Sequence, residues 1–212
     1  MELQRGGIKR GGKAAGGILI DIGLLVLGCF LFAGSFPNPL VINGIPILAW
    51  FAFIPIFLLL MRIPLWASPI YGGVYGYLSF TLFNYWLGAF HPLAGIIVGL
   101  IYFVWNLISF FAMSLALKFF PKKGYLILPF IWLAYEYLRI QGFLGYPYGI
   151  IGYSQWEFLP LIQVASVFGV WAVSLLVVFP QAVIAHLIKA HAEARRNGND
   201  WYQNPRVPRG PA

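Results

Sequence analysis

Apolar stretches of about 18 residues recur along nearly the whole chain. At a rise of about 1.5 Å per residue, that length matches a hydrocarbon core of roughly 30 Å. No soluble core needs so many. In lipid every backbone N–H and C=O must be satisfied internally, so each stretch is expected to be a helix. Read in order, the stretches give about six spans, at residues 18–36, 45–61, 70–89, 93–119, 125–140 and 160 to about 188. Between a leader at 1–16 and a polar tail at 190–212, residues 17–189 form one domain: an all-α, polytopic transmembrane helix bundle. Only 9% of residues are charged against 60% hydrophobic, which leaves no room for a soluble domain beside the spans.

The formal charge of +8 does not indicate nucleic acid. Lysine and arginine fall in short clusters between apolar stretches, as topology signals do. The leader RGGIKRGGKAAGG has no aromatic residue on which a base could stack, and reads as a flexible cytoplasmic segment drawn to anionic lipid. With the N-terminus and C-terminus both inside, 13 of the 14 lysines and arginines lie on the cytoplasmic side. The exception is Arg139, at the outer end of the fifth span. Asp21, close to the leader, sits at headgroup depth and needs no function. Cys29 lies midway along the first span, where apolar surroundings leave little thiolate. His91, His186 and His191 are not at metal-ligand spacing with it, so neither a metal nor a cofactor is expected.

Glu136 stands three residues before Arg139, close enough on one helical face to pair. Charged groups in a membrane helix are costly to desolvate and mark either a structural ion pair or a polar site facing the bundle interior. The loop that follows, 141–159, holds Gly142, Gly145, Pro147, Gly149 and Gly152, no lysine or arginine, and many aromatic and aliphatic residues. Such a loop dips into the interface, where non-helical backbone must be covered by protein or line a cavity. Tyrosine hydroxyls, Ser154 and Gln155 are available to satisfy it. Apolar walls above Arg139 suit a lipid, with the guanidinium on a phosphate or carboxylate. The other outcome is a re-entrant loop that only packs. Earlier in the chain, Gly72, Gly73 and Gly76 face Gly95 and Gly99 across a short His91-Pro92 turn. That small-xxx-small spacing predicts close antiparallel packing of the third and fourth spans.

At these residues the chain resembles the bacterial apolipoprotein N-acyltransferases. The resemblance is carried by Trp132-x-x-x-Glu136-x-x-Arg139, by Gly145-Tyr146-Pro147 where the family usually has Gly-Phe-Pro, and by Gly152-Tyr153-Ser154-Gln155. QVASVFGVWAVSLL from Gln163, Tyr85-Trp86 and Gly34-Ser35-Phe36-Pro37 extend it over roughly residues 18–188. It implies a multi-pass protein of the bacterial cytoplasmic (inner) membrane, engaged in lipoprotein maturation, whose partners are membrane phospholipid and a lipoprotein substrate. The family moves an acyl chain from phospholipid to an enzyme cysteine, then to the N-terminal amine of a diacylated lipoprotein. A nitrilase-like domain with a Glu-Lys-Cys triad performs this outside the membrane, after the helices.

Cys29 cannot serve as that nucleophile, having no base or lysine near it in sequence. The chain is therefore expected to hold acyl chains at the outer face rather than catalyse alone, with the nitrilase-like domain on a separate chain, or else as a truncated or degenerate copy. Glu136 and Arg139 are the expected polar anchor; Tyr146, Pro147, Tyr153 and Gln155 shape the pocket mouth, and Trp86 and Trp132 are further lipid-binding candidates, whose other reading is that of interface anchors. The rival readings are an anchor or scaffold for another enzyme and a small transporter. The spans show no internal repeat of the kind transporters use.

Overall fold

The computed structural model describes residues 3–142 and 145–196, with side chains from residue 16 onward. The described residues are helical or irregular, with no strand among them. Eight α-helices follow one another: α1 (Leu3–Gly34), α2 (Phe53–Leu60), α3 (Ser68–Phe83), α4 (Ala94–Phe119), α5 (Leu128–Leu138), α6 (Leu159–Ile162), α7 (Ala165–Phe168) and α8 (Val170–Arg196). Three helical stretches are long and apolar enough to cross a membrane: Gly16–Gly34 within α1, then α4 and α8. Three shorter apolar helical stretches lie at Pro46–Leu60, Gly124–Leu138 and Leu159–Phe168; the first two contribute buried residues to the core, the third none.

Several expected boundaries move, each for a local reason. The leader, expected to be flexible, has helical backbone from Leu3, because a helix already nucleated propagates one bond per residue. The second expected span is a 3₁₀ turn, Pro46–Trp50, running into α2, and the third ends at Phe83 before a 3₁₀ turn, Tyr85–Ala89. The sixth does not start at Pro160. Two four-residue helices, α6 and α7, come first, and Gly169 stands between them and α8 at φ +70°, a left-handed backbone that glycine adopts without penalty. α8 then continues through Pro180 and past residue 190 to Arg196. The remainder of the polar tail, 197–212, lies outside the described residues.

α3 and α4 form the closest helix pair, as their glycines predict. A Cβ on Gly72 or Gly76 would collide with the backbone carbonyl of Asn106 or Tyr102 on α4, so only glycine allows this approach. Gly95, by contrast, faces open space. The core is aromatic: Phe32 of α1 lies 5.3 Å from Phe80 and 6.4 Å from both Phe53 and Trp132, so one ring ties four helices. Gln181 of α8 closes the gap where the second apolar segment changes from 3₁₀ to α. Its Oε1 accepts from Phe53 N–H at 2.7 Å, and its Nε2 donates to the Ala49 and Val177 carbonyls at 2.8 Å. Asp21 also has a partner: Arg62 Nε donates to its Oδ1 at 2.7 Å, fastening the start of the first span to the end of α2.

Candidate functional site

The site lies where α5 ends and the chain leaves it as irregular backbone. Glu136 faces inward from the last turn of α5 and is fully buried. Its Oε1 accepts two hydrogen bonds, one from Trp132 Nε1 a turn earlier at 3.0 Å and one from the backbone N–H of Ile151 at 2.7 Å. Its Oε2 has no partner among the described residues. Trp132 is itself fully buried; its indole belongs to the core and orients the carboxylate.

Arg139 is the C-cap of α5 and is 2% exposed. Its Nη1 donates to the Tyr102 hydroxyl at 2.7 Å and to the carbonyls of Tyr146 at 3.0 Å and Tyr148 at 2.8 Å. The guanidinium carbon sits 5.3 Å from the ring centroids of Phe80 and Tyr102 and 5.6 Å from that of Tyr135, an aromatic cage of cation–π contacts. Nε and Nη2 have no hydrogen-bond partner among the described residues.

The expected Glu136–Arg139 ion pair is therefore not formed. The ion pairs among the described residues are Arg62–Asp21 and Lys189–Glu193. The competing partner is the loop: Glu136 takes an N–H from it and Arg139 takes two carbonyls, so both charges are spent on backbone that no helix or sheet satisfies. The stitching continues on either side. The Tyr146 hydroxyl donates to Asn84 Oδ1 at 2.7 Å, Gly152 N–H donates to Ser174 Oγ at 3.1 Å, and Gln155 Nε2 donates to the Pro46 carbonyl at 2.9 Å while its Oε1 accepts from Trp50 Nε1 at 3.0 Å. Burial pushes the Tyr146 phenol up from its ordinary pKa, so it remains a neutral donor.

Two cavities flank this stitched loop. The smaller, about 160 Å³, is lined by Arg139, Tyr102, Trp105, Gly145 and Tyr146. The larger, about 410 Å³, is an aromatic groove formed by Phe36, Phe83, Trp86, Tyr148, Tyr153 and Trp156, among others. The rings of Tyr146 and Tyr148, 5.0 Å apart, stand between them. Of the residues singled out from sequence, Arg139 and Tyr146 meet at the small cavity, Trp86 and Tyr153 at the groove, and Glu136, Trp132 and Gln155 hold the loop from below. Pro147 is exposed at the loop surface and lines neither cavity. Phe143 and Leu144 lie outside the described residues.

Sequence reasoning missed Tyr102, Asn84 and Asn106, and had Ser174 only as part of the QVASVFGVWAVSLL resemblance. Asn106 Nδ2 donates to the Tyr135 hydroxyl and to the Tyr102 carbonyl, both at 3.0 Å, and so fixes the cage that surrounds Arg139. The available signal was an amide side chain in the middle of a long apolar stretch, which in a membrane marks an interhelical bond.

Comparison with known proteins identifies the chain's relatives. The Apolipoprotein N-acyltransferase N-terminal domain matches residues 27–183. Apolipoprotein N-acyltransferase 1 of Treponema denticola is 44% identical over 169 residues, covering 80% of this chain and 31% of the relative. The protein of the same name from Treponema pallidum is 47% identical over 159 residues, covering 73% and 28%, and apolipoprotein N-acyltransferase of Geobacter metallireducens is 30% identical over 185 residues, covering 81% and 34%. The chain spans about a third of the length of these relatives. No solved structure matches it. With most of its length inside that domain, the chain belongs to the apolipoprotein N-acyltransferase N-terminal-domain family.

Proposed function

We propose that this bundle is the membrane module of an apolipoprotein N-acyltransferase. It sits in a bacterial inner membrane with both termini cytoplasmic, and it holds phospholipid and lipoprotein acyl chains at the outer face with their reactive ends at the surface. The observation that carries this reading is Arg139, a buried guanidinium with two N–H-bearing nitrogens uncommitted beside a cavity. Buried donors without partners are rare, and near the end of a membrane helix they point to an absent anionic group. The small cavity has room for a phosphate or carboxylate but not for an acyl chain. The neighbouring aromatic groove, at 410 Å³, is of ligand-pocket size and apolar. Three segments far apart in sequence meet there: Phe36-Pro37, Tyr85-Trp86 and Tyr148–Trp156.

In this arrangement the Arg139 guanidinium orients the headgroup, and the rings of Trp86, Tyr148 and Tyr153 take the first part of a chain. Glu136, Trp132 and Gln155 hold the loop at the required height. Positioning is the contribution such a module makes to acyl transfer, since holding a reactive ester in one geometry removes much of the entropic barrier.

The test reconstitutes the full chain in vesicles with a phospholipid bearing a diazirine near the carboxyl end of one acyl chain. After irradiation, adducts are mapped by mass spectrometry. Wild type and Arg139→Lys should give adducts concentrated at 83–86 and 148–156, and Arg139→Gln should reduce them about tenfold. One further reading has an observation in its favour, because Nη1 of Arg139 staples two loop carbonyls. If Arg139→Gln lowers folding yield alone, with the adduct pattern unchanged, the residue is a structural staple and the module is an anchor or scaffold.

A further inference from the structure

We propose a second lipid site, at the opposite end of the bundle, which takes the headgroup of an anionic phospholipid from the cytoplasmic leaflet. A cavity of about 490 Å³ lies between the ends of α2 and α4, the 3₁₀ turn Gly124–Leu126 that precedes α5, and the last third of α8. Along α4, Lys118 of this cavity is 16 residues from Tyr102 of the Arg139 cavity, roughly 24 Å away, so the two are separate. The walls are apolar, including Leu60 and Leu117, and the rim carries Lys118 and Lys189. The size falls within the roughly 300–1,000 Å³ of ligand pockets.

Three observations indicate that the cavity is built for an anion on an apolar stem. Ser114, 6% exposed, lines it with a hydroxyl that has no partner among the described residues. His186 is fixed flat against Tyr125, ring centroids 4.0 Å apart and planes within 2°, which shapes a rigid wall. Lys189 Nζ is only loosely held, 3.4 Å from the Met61 carbonyl and 3.8 Å from Glu193 Oε1, and the Glu193 side chain is itself 64% exposed. An arriving phosphate diester would displace Glu193 from Lys189, gain Lys118 and reach the Ser114 hydroxyl, while its glycerol and first methylenes cover Leu60 and Leu117. A soluble anion would have no use for those walls. Lysines at the cytoplasmic surface attract anionic lipid, and basic pockets between membrane helices hold its headgroup.

The test uses the full chain in detergent, titrated with phosphatidylglycerol or phosphatidylcholine and read by native mass spectrometry. Wild type should retain phosphatidylglycerol over phosphatidylcholine. Lys118→Ala/Lys189→Ala should lower that preference about tenfold, and Lys118→Arg/Lys189→Arg should keep it. Arg139→Gln, which addresses the outer site, should leave this preference in place, so failure of either site is read apart from the other. Thermal melting of each variant verifies folding. Equal retention of the two lipids by wild type, or an unchanged preference in the double alanine variant, overturns the proposal. So does displacement of phosphatidylglycerol by millimolar inorganic phosphate, which would make this a free-phosphate site.

Discussion

Removing the Glu136 carboxylate should release the loop that follows α5 before it unfolds the bundle. Glu136→Ala leaves two buried donors without an acceptor, Trp132 Nε1–H and the backbone N–H of Ile151. A buried donor left unsatisfied costs about 1–3 kcal/mol, and more when the lost acceptor was charged. Membrane proteins lower that figure, because the unfolded chain in lipid finds other partners and polar contacts there average about 0.6 kcal/mol, with a maximum near 1.7. Taking the upper membrane value for each bond gives a loss of about 3 kcal/mol. Glu136→Gln keeps a carbonyl oxygen in the same place, so it should cost under about 1 kcal/mol. The assay is hydrogen exchange of the detergent-solubilised chain. A local destabilisation of about 3 kcal/mol raises the exchange of the Ile151 and Gly152 amides roughly 150-fold, while amides in α3 and α4 stay protected. Equal effects of Ala and Gln would refute the reasoning, because acceptor geometry would then not be what Glu136 supplies. So would an Ile151 amide that exchanges no faster in the alanine variant.

Other outcomes follow from the same contacts. Gly76→Ala places a methyl against the Tyr102 carbonyl and the Asn106 side chain, so α3 and α4 must separate; unfolding in mixed micelles should show a loss of about 1–3 kcal/mol, whereas Gly95→Ala, in open space, should show none. Gln181→Leu orphans the Phe53 N–H and the Ala49 carbonyl, and should lower stability by about 2 kcal/mol in the same assay, with enhanced exchange confined to residues 49–53.

What could be read from sequence was what depends on length and local chemistry. The apolar stretches and the glycine pairing of α3 with α4 each express a rule that acts within one segment or between neighbours. The break at Gly169 was not visible, because one glycine inside an apolar stretch is ordinary in a membrane helix. There Gly169 takes φ +70°, and next to it Val170 packs closely on Gly152 of the loop. Glu136 and Arg139 were identified as the polar centre of the outer end, but their partners were misassigned. Spacing of three suggested that each held the other, whereas irregular backbone 7–15 residues downstream competes more strongly, having no helix or sheet to satisfy it. The Tyr102 hydroxyl and the Asn106 amide complete that centre from α4, a contribution only the folded bundle brings into range.

The central claim, that Arg139 grips the phosphate of a bound phospholipid, is tested most directly by solid-state NMR of the chain in lipid bilayers. Guanidinium nitrogens are labelled with ¹⁵N, and their dephasing by phospholipid ³¹P is recorded. Charge-assisted N–H···O contacts of about 2.8 Å place nitrogen roughly 4 Å from phosphorus. Wild type should contain an arginine signal at that distance which disappears in Arg139→Gln. Dephasing that is identical in the two proteins would mean that only the other arginines meet phosphate, and the lipid-holding role of the Arg139 site would be contradicted.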